Sequence, residues 1–163
     1  MTFQNLRRAA VALAFVAIVA PSAQAQTSNQ TVTFAVNAIN QIAFAGAPSL
    51  TITTATAGSA PTSVTDNTAS WAVTTNQTGA KITASIPAIM PAGLTLSSSL
   101  AAPAGATSAG FLALGTVAVD LVTGITKLAQ NALVVTYKLD ATAAAGVVAS
   151  STKVVTYTIT GGT

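Results

Sequence analysis

The chain contains no cysteine and no histidine, its only acidic residues are Asp66, Asp120 and Asp140, and its only arginines are Arg7 and Arg8. Each gap removes a class of chemistry. Without cysteine no disulfide framework forms. Zinc, haem and iron–sulfur centres lose their usual nitrogen and sulfur ligands. Without histidine, a Ser–His–Asp or Cys–His arrangement has no base. A glycosidase-type carboxylate pair would have to come from three isolated aspartates. A Ser–Lys dyad survives on paper, because Ser150-Ser151-Thr152-Lys153 is an S-x-x-K run. It has no S-D-N or K-T-G companion, so a turn serine and a solvated lysine are the plain reading. Calcium oxygens are offered by the aspartates and Asn67, but there is no D-x-D run or EF-hand loop. Aspartates beside Asn or at strand ends commonly cap turns. The composition predicts no enzyme, no metal and no cofactor.

Charge is equally scarce, at 6% of residues. What there is sits unevenly. Residues 1–8 (MTFQNLRR) hold both arginines, residues 9–20 (AAVALAFVAIVA) are wholly apolar, Pro21 follows, and Ala23-Gln24-Ala25 closes the stretch. A basic start, an apolar middle and an A-x-A end make a secretory signal. Twelve apolar residues rise only about 18 Å as a helix, short of a hydrocarbon core of about 30 Å. The expectation is cleavage between Ala25 and Gln26, export to the periplasm, cell surface or medium, and no membrane span afterwards. Residues 26–163 then carry four lysines (Lys81, Lys127, Lys138, Lys153) against three aspartates, a net charge of +1. Scattered lysines interleaved with aspartates form no phosphate-binding patch, which argues against a nucleic-acid partner.

What the chain has in quantity is Ala, Val, Thr and Ser in alternation. Residues 31–37 (TVTFAVN) put Val32, Phe34 and Val36 on one face, and Val155, Tyr157 and Ile159 repeat the pattern near the other end. Further strands are expected at about 39–44, 50–54, 70–75, 81–86, 94–100, 115–122 and 133–140. Gly, Pro and Asn clusters punctuate them. Residues 76–79 (NQTG) read as a hairpin loop between 70–75 and 81–86. The strand ending at Asp140 and the strand 152–160 read as a second, longer-looped pair. The Ala-rich stretches around 100–109 and 141–146 are too short and too interrupted for helices. The fold class predicted is all-β, an antiparallel immunoglobulin-like sandwich of about seven to nine strands, in one domain over 26–163.

Two features are candidates for function. Val32, Phe34 and Val36 lie on a strand close to an untethered end, where an edge pairs with its own sheet or with another chain. Trp71, the only tryptophan, is either a platform for a sugar ring or a core residue sharing its parity with Val73. Asn29-Gln30-Thr31 and Asn76-Gln77-Thr78 match the glycosylation acceptor pattern.

Residues 134–159 (VVTYKLDATAAAGVVASSTKVVTYTI) resemble the closing hairpin of bacterial exported pilin-like and spore-coat-protein-U-like sandwiches. Residues 64–86 (VTDNTASWAVTTNQTGAKITASI) are similar to the T-D…W stretch of WxL-like cell-surface domains. The chain departs from the first group in lacking a disulfide, and from the second in having Ala72-Val73 after Trp71. The resemblance implies an immunoglobulin-like surface or filament-forming subunit and carries over no catalytic or binding residue. The expected role is that of an exported structural or coat protein whose partners are copies of itself or other surface proteins, the alternative being a carbohydrate- or ligand-binding adhesion module.

Overall fold

The computed structural model describes residues 23–163, and among these the regular structure is nine strands and one 3₁₀ turn. The basic start, the whole apolar run and Pro21, expected to direct export, lie outside the described residues. The chain divides into Met1–Ala35 and Val36–Thr163. Residues 23–35 carry no regular secondary structure and are exposed. All the strands belong to the second unit.

They are β1 (Asn40–Ala45), β2 (Val64–Thr75), β3 (Ala80–Ser85), β4 (Leu94–Leu100), β5 (Thr107–Ser108), β6 (Leu112–Ala113), β7 (Val119–Ile125), β8 (Leu128–Ala141) and β9 (Thr156–Thr160). Sheet 1 has the order β1-β2-β8-β4-β6, sheet 2 the order β5-β7-β3-β9, and every pairing is antiparallel. Inward residues of both sheets share one core, with Trp71, Val73, Leu100 and Val135 from sheet 1 meeting Ile82 and Leu121 from sheet 2. The alternation that creates this face is plain in β3, where Ala80, Ile82 and Ala84 are buried and their neighbours half-buried. Leu112–Leu128, rich in Leu and Val, is extended rather than helical, and a single 3₁₀ turn covers Ala143–Ala145. Among the described residues no helix is long and apolar enough to cross a membrane.

Four expectations need correction. Residues 31–37 form no strand; Val32, Phe34 and Val36 are 72%, 88% and 79% exposed. Alternation fits a pleated surface but does not supply a ladder partner. Residues 50–54 are not a strand either. The only pairing there is an isolated bridge between Ala55 and Pro61, and proline has no N–H with which to extend it. Residues 76–79 are not a hairpin loop, since β2 lies in sheet 1 and β3 in sheet 2. The same holds for residues 142–155 between β8 and β9. Both connections are arches across the sandwich. In each, two alternating runs flank a turn-rich gap, and that pattern is identical whether the chain folds back in one sheet or crosses to the other.

Two strands run longer than expected. β2 starts at Val64 and β8 at Leu128, and both carry bulges, one between Asp66 and Ala69 and one facing Ala72. At the second bulge Ala132 adopts φ +54°. A bulge absorbs an extra residue without ending the ladder, so the turn-like Asp66-Asn67 and Asn131-Ala132 sit inside strands.

Candidate association surface

The two sides of the sandwich are built differently. On one side the edge strands β5 and β6 are two residues each, short enough to leave almost no free ladder. On the other side stand β1, six residues, and β9, five residues. Each has one neighbour in its sheet. Neither edge carries a charged residue or a proline, the features that commonly blunt such edges.

Aromatic rings, not a hydrogen-bonded ladder, close the seam between β1 and β9. Phe44 stacks on Tyr157 with centroids 4.0 Å apart and planes 12° from parallel. Its other neighbour is Trp71, at 6.0 Å and 11°. Below the stack, Tyr157 OH donates to Tyr137 OH at 2.9 Å. Its oxygen also lies 3.0 Å from Ser98 Oγ, which must be the donor because the single phenolic proton is already committed. Ser98 is fully buried, so Tyr157 ties sheet 2 to β4 and β8 of sheet 1 through a satisfied polar chain. Burial raises the Tyr157 pKa well above its ordinary 10.0, with the neighbouring Tyr137 adding to the effect and the Ser98 hydroxyl opposing it. Burial likewise raises Tyr137.

Tyr157→Phe therefore removes the partner of a buried serine. An unsatisfied buried hydroxyl costs about 1–3 kcal/mol, and that loss is expected in urea titrations at neutral pH. The folded pKa of Tyr157 lies above its unfolded value, so its contribution is complete below pH 10 and lost as pH rises beyond that. Stability of the parent chain should fall in strong alkali more steeply than that of Tyr157→Phe.

Trp71 is 1% exposed and its indole N–H has no acceptor. This is a core position, sharing its parity with Val73, and it offers no ring face to a sugar. The platform reading of Trp71 is corrected accordingly. A tryptophan on an alternating strand is drawn inward by the large apolar area it removes from water.

The aspartates serve local structure. Asp66 Oδ1 accepts from Thr68 N at 2.8 Å and Thr68 Oγ1 at 2.6 Å, while Oδ2 accepts from Ser49 N at 2.8 Å. These bonds hold the incoming loop against the β2 bulge. At its tightest point Gly46 has φ +107°, and a Cβ there would lie 2.8 Å from Ala69 Cα. The Thr68 hydroxyl first, then the Ser49 and Thr68 amides, lower the Asp66 pKa below 3.8. Its stabilising effect is thus complete above that value and lost as pH falls through the lower folded pKa. Asp66→Asn should flatten the acid limb of a melting-temperature profile below about pH 4. Asp120 pairs with Lys81 at 3.0 Å, Asp140 with Lys138 at 3.1 Å, and Asp140 also accepts from Ser63. Among the described residues no three His, Cys, Asp or Glu side chains are grouped as for a metal.

Asn76 has a role that its sequence does not announce. Its Nδ2 donates to Asn37 O at 2.7 Å, its Oδ1 accepts from Ile39 N at 2.8 Å, and its backbone N donates to Ile39 O at 3.2 Å. The amide of the second glycosylation motif is therefore spent on fixing the chain where it enters β1. Nothing local in N-Q-T marks this, because its partners lie 37 and 39 residues away. The candidate association residues Val32, Phe34 and Val36 lie immediately before this anchor and make no strand pairing. No family model, curated protein or solved structure matches the chain.

Proposed function

We propose that the chain is an exported structural subunit, a coat or filament-like component of a bacterial surface, in which copies of an immunoglobulin-like sandwich join by strand addition. One observation carries the reading: an alternating apolar segment, Val32-Thr33-Phe34-Ala35-Val36, stands exposed and unpaired in a molecule with two unblunted edge strands on one side. An apolar face of this kind on a monomer marks an interface. Burying three such side chains contributes about 1.5–3 kcal/mol each, against an association cost of about 4–15 kcal/mol. Side chains alone barely offset that cost, so the backbone ladder of an edge strand has to contribute too. Strand addition supplies both terms at once.

The scarcity of charge supports the same conclusion. Three of the four lysines outside the export segment are already engaged, Lys81 and Lys138 by aspartates and Lys153 by the carbonyls of Ala88 and Ile89. Little net charge is left to hold copies apart. The composition offers no histidine to serve as a catalytic base, and with Trp71 buried an adhesion module built on that ring has no support. Residues 26–163, purified and concentrated, should show a scattering mass that rises with concentration, and negative-stain images should show ordered assemblies. A strict monomer at millimolar concentration without added partner overturns the reading.

A further inference from the structure

At the end of sheet 1 where β1 begins, a concavity of about 350 Å³ opens on the surface. Its lining includes the apolar Ile39, Leu128 and Ala129 together with Thr74 and Lys127. Three strands meet here, since Asn40 is opposite Thr75 and Thr75 opposite Leu128. The walls are held firmly. Asn76 fixes Ile39 through both its backbone and its side chain, and Lys127 N donates to Gln77 O at 2.9 Å. Lys127 itself stands at φ +42°, a conformation that L residues other than Gly, Asn and Asp rarely adopt.

Lys127 is also the one lysine among the described residues whose ammonium group has no acceptor. The site thus combines an apolar hollow with a lysine in its lining whose ammonium group is uncommitted. Such a hollow suits an aromatic side chain, whose flat apolar body fills it and whose ring face attracts the ammonium group. Two aromatics are exposed among the described residues, and of these Phe111, at 46%, already has Lys138 Nζ 5.9 Å from its ring centroid, whereas Phe34, at 88% and with the exposed Val32 and Val36 two residues to either side, has no such cation. Residues 26–37 bear no charge, so a segment carrying Phe34 brings neither a carboxylate to pair with Lys127 nor a cation to oppose it.

We infer that this concavity receives the Phe34 side chain of a second copy, with Lys127 over the ring. The inference rests on the reading of the chain as a self-associating subunit, and it names the anchor of that contact and its seat. The seat is separate from the β1–β9 seam, whose interior is already filled by the Phe44–Tyr157 stack. Phe34 and the Lys127 pocket together make a hot spot: a buried aromatic anchor in a preformed hollow, ringed by contacts that exclude water.

The test replaces Phe34 by p-benzoylphenylalanine, which keeps an aromatic ring at the position, in the chain as the cell produces it. Mixed with an equal amount of isotope-labelled parent chain and irradiated, it should form a cross-linked dimer. Mass spectrometry should place the link on Ile39 or on residues 127–129 of the labelled copy. Phe34→Ala and Ala129→Arg, the second filling an exposed part of the hollow, should each weaken association about tenfold or more. Combined, they should weaken it no further than the stronger of the two. Circular dichroism establishes that each variant is folded. Association with links mapping elsewhere, or with additive losses, overturns the assignment of Phe34 to this pocket and leaves self-association standing. Absence of any association by the parent chain overturns both.

Discussion

Removing residues 26–36 is expected to leave a folded domain that no longer assembles. The cut stops at Val36 because the next carbonyl, that of Asn37, is held by Asn76. Residues 26–36 contribute no strand to either sheet, and Val32, Phe34 and Val36 are exposed. Their loss therefore withdraws almost no buried apolar area from the single chain. The melting temperature should change by less than about 2 °C, the scale of a few tenths of a kcal/mol in a domain of this size. Assembly should be lost altogether, since both the apolar side chains and the unpaired backbone that carries them are gone. Circular dichroism melts and light scattering on the same samples separate the two outcomes. Global unfolding would show instead that the segment is an ordinary part of the sandwich, and retained assembly would place the contact elsewhere.

The largest stability effect belongs to Trp71→Ala, at about 3–5 kcal/mol. Trp71 is almost wholly buried, lies against Phe44, and occupies the middle of β2, which is hydrogen-bonded on both sides. A fixed sheet cannot collapse to fill the space the indole leaves. Set against a total stability of about 5–15 kcal/mol, this substitution alone brings the domain near its threshold. Trp71→Phe should cost clearly less than the lost volume suggests, because the indole N–H has no acceptor and its removal takes a buried unpaired donor out of the core. Urea titration followed by circular dichroism gives both values without relying on the tryptophan signal. A Phe variant as damaged as the Ala variant would mean that the N–H has a partner.

Period-two alternation makes most of the sheet legible in the sequence. It locates β4 at its observed ends, and β1 and β3 to within a residue. It sets the inward parity of Trp71, Val73 and Tyr157. Pairing is less legible, because alternation records which face a residue turns to the core and not which strand lies beside it. Residues 76–79 and 142–155 therefore read as loops within pairs, although they cross between sheets. The strands β5 and β6 are too short to display a period at all. Bulges hide the true starts of β2 and β8, since Asp66-Asn67 and Asn131 have the chemistry of turns. On the association surface, the alternating face of Val32, Phe34 and Val36 is visible in the sequence. Its lack of a ladder partner is not, nor is the Asn76 anchor beside it, because both depend on distant strands.

The arches also govern when the domain can form. β2, formed early in the chain, finds its central partner in β8, with Val64 opposite Leu139. β3 finds its edge partner in β9, with Lys81 opposite Thr160. The nearest partners are Thr75 and Leu128 in the first pairing and Ser85 and Thr156 in the second, so each closes a loop of more than fifty residues before it gains a single ladder bond. Folding dominated by such distant pairings runs in milliseconds to seconds rather than microseconds. Tyr157, which ties the two sheets together, lies in the last strand of all. A chain threaded through a membrane from its N-terminus would thus have emerged nearly whole before its sandwich could shut, and until then it would remain slack enough to pass.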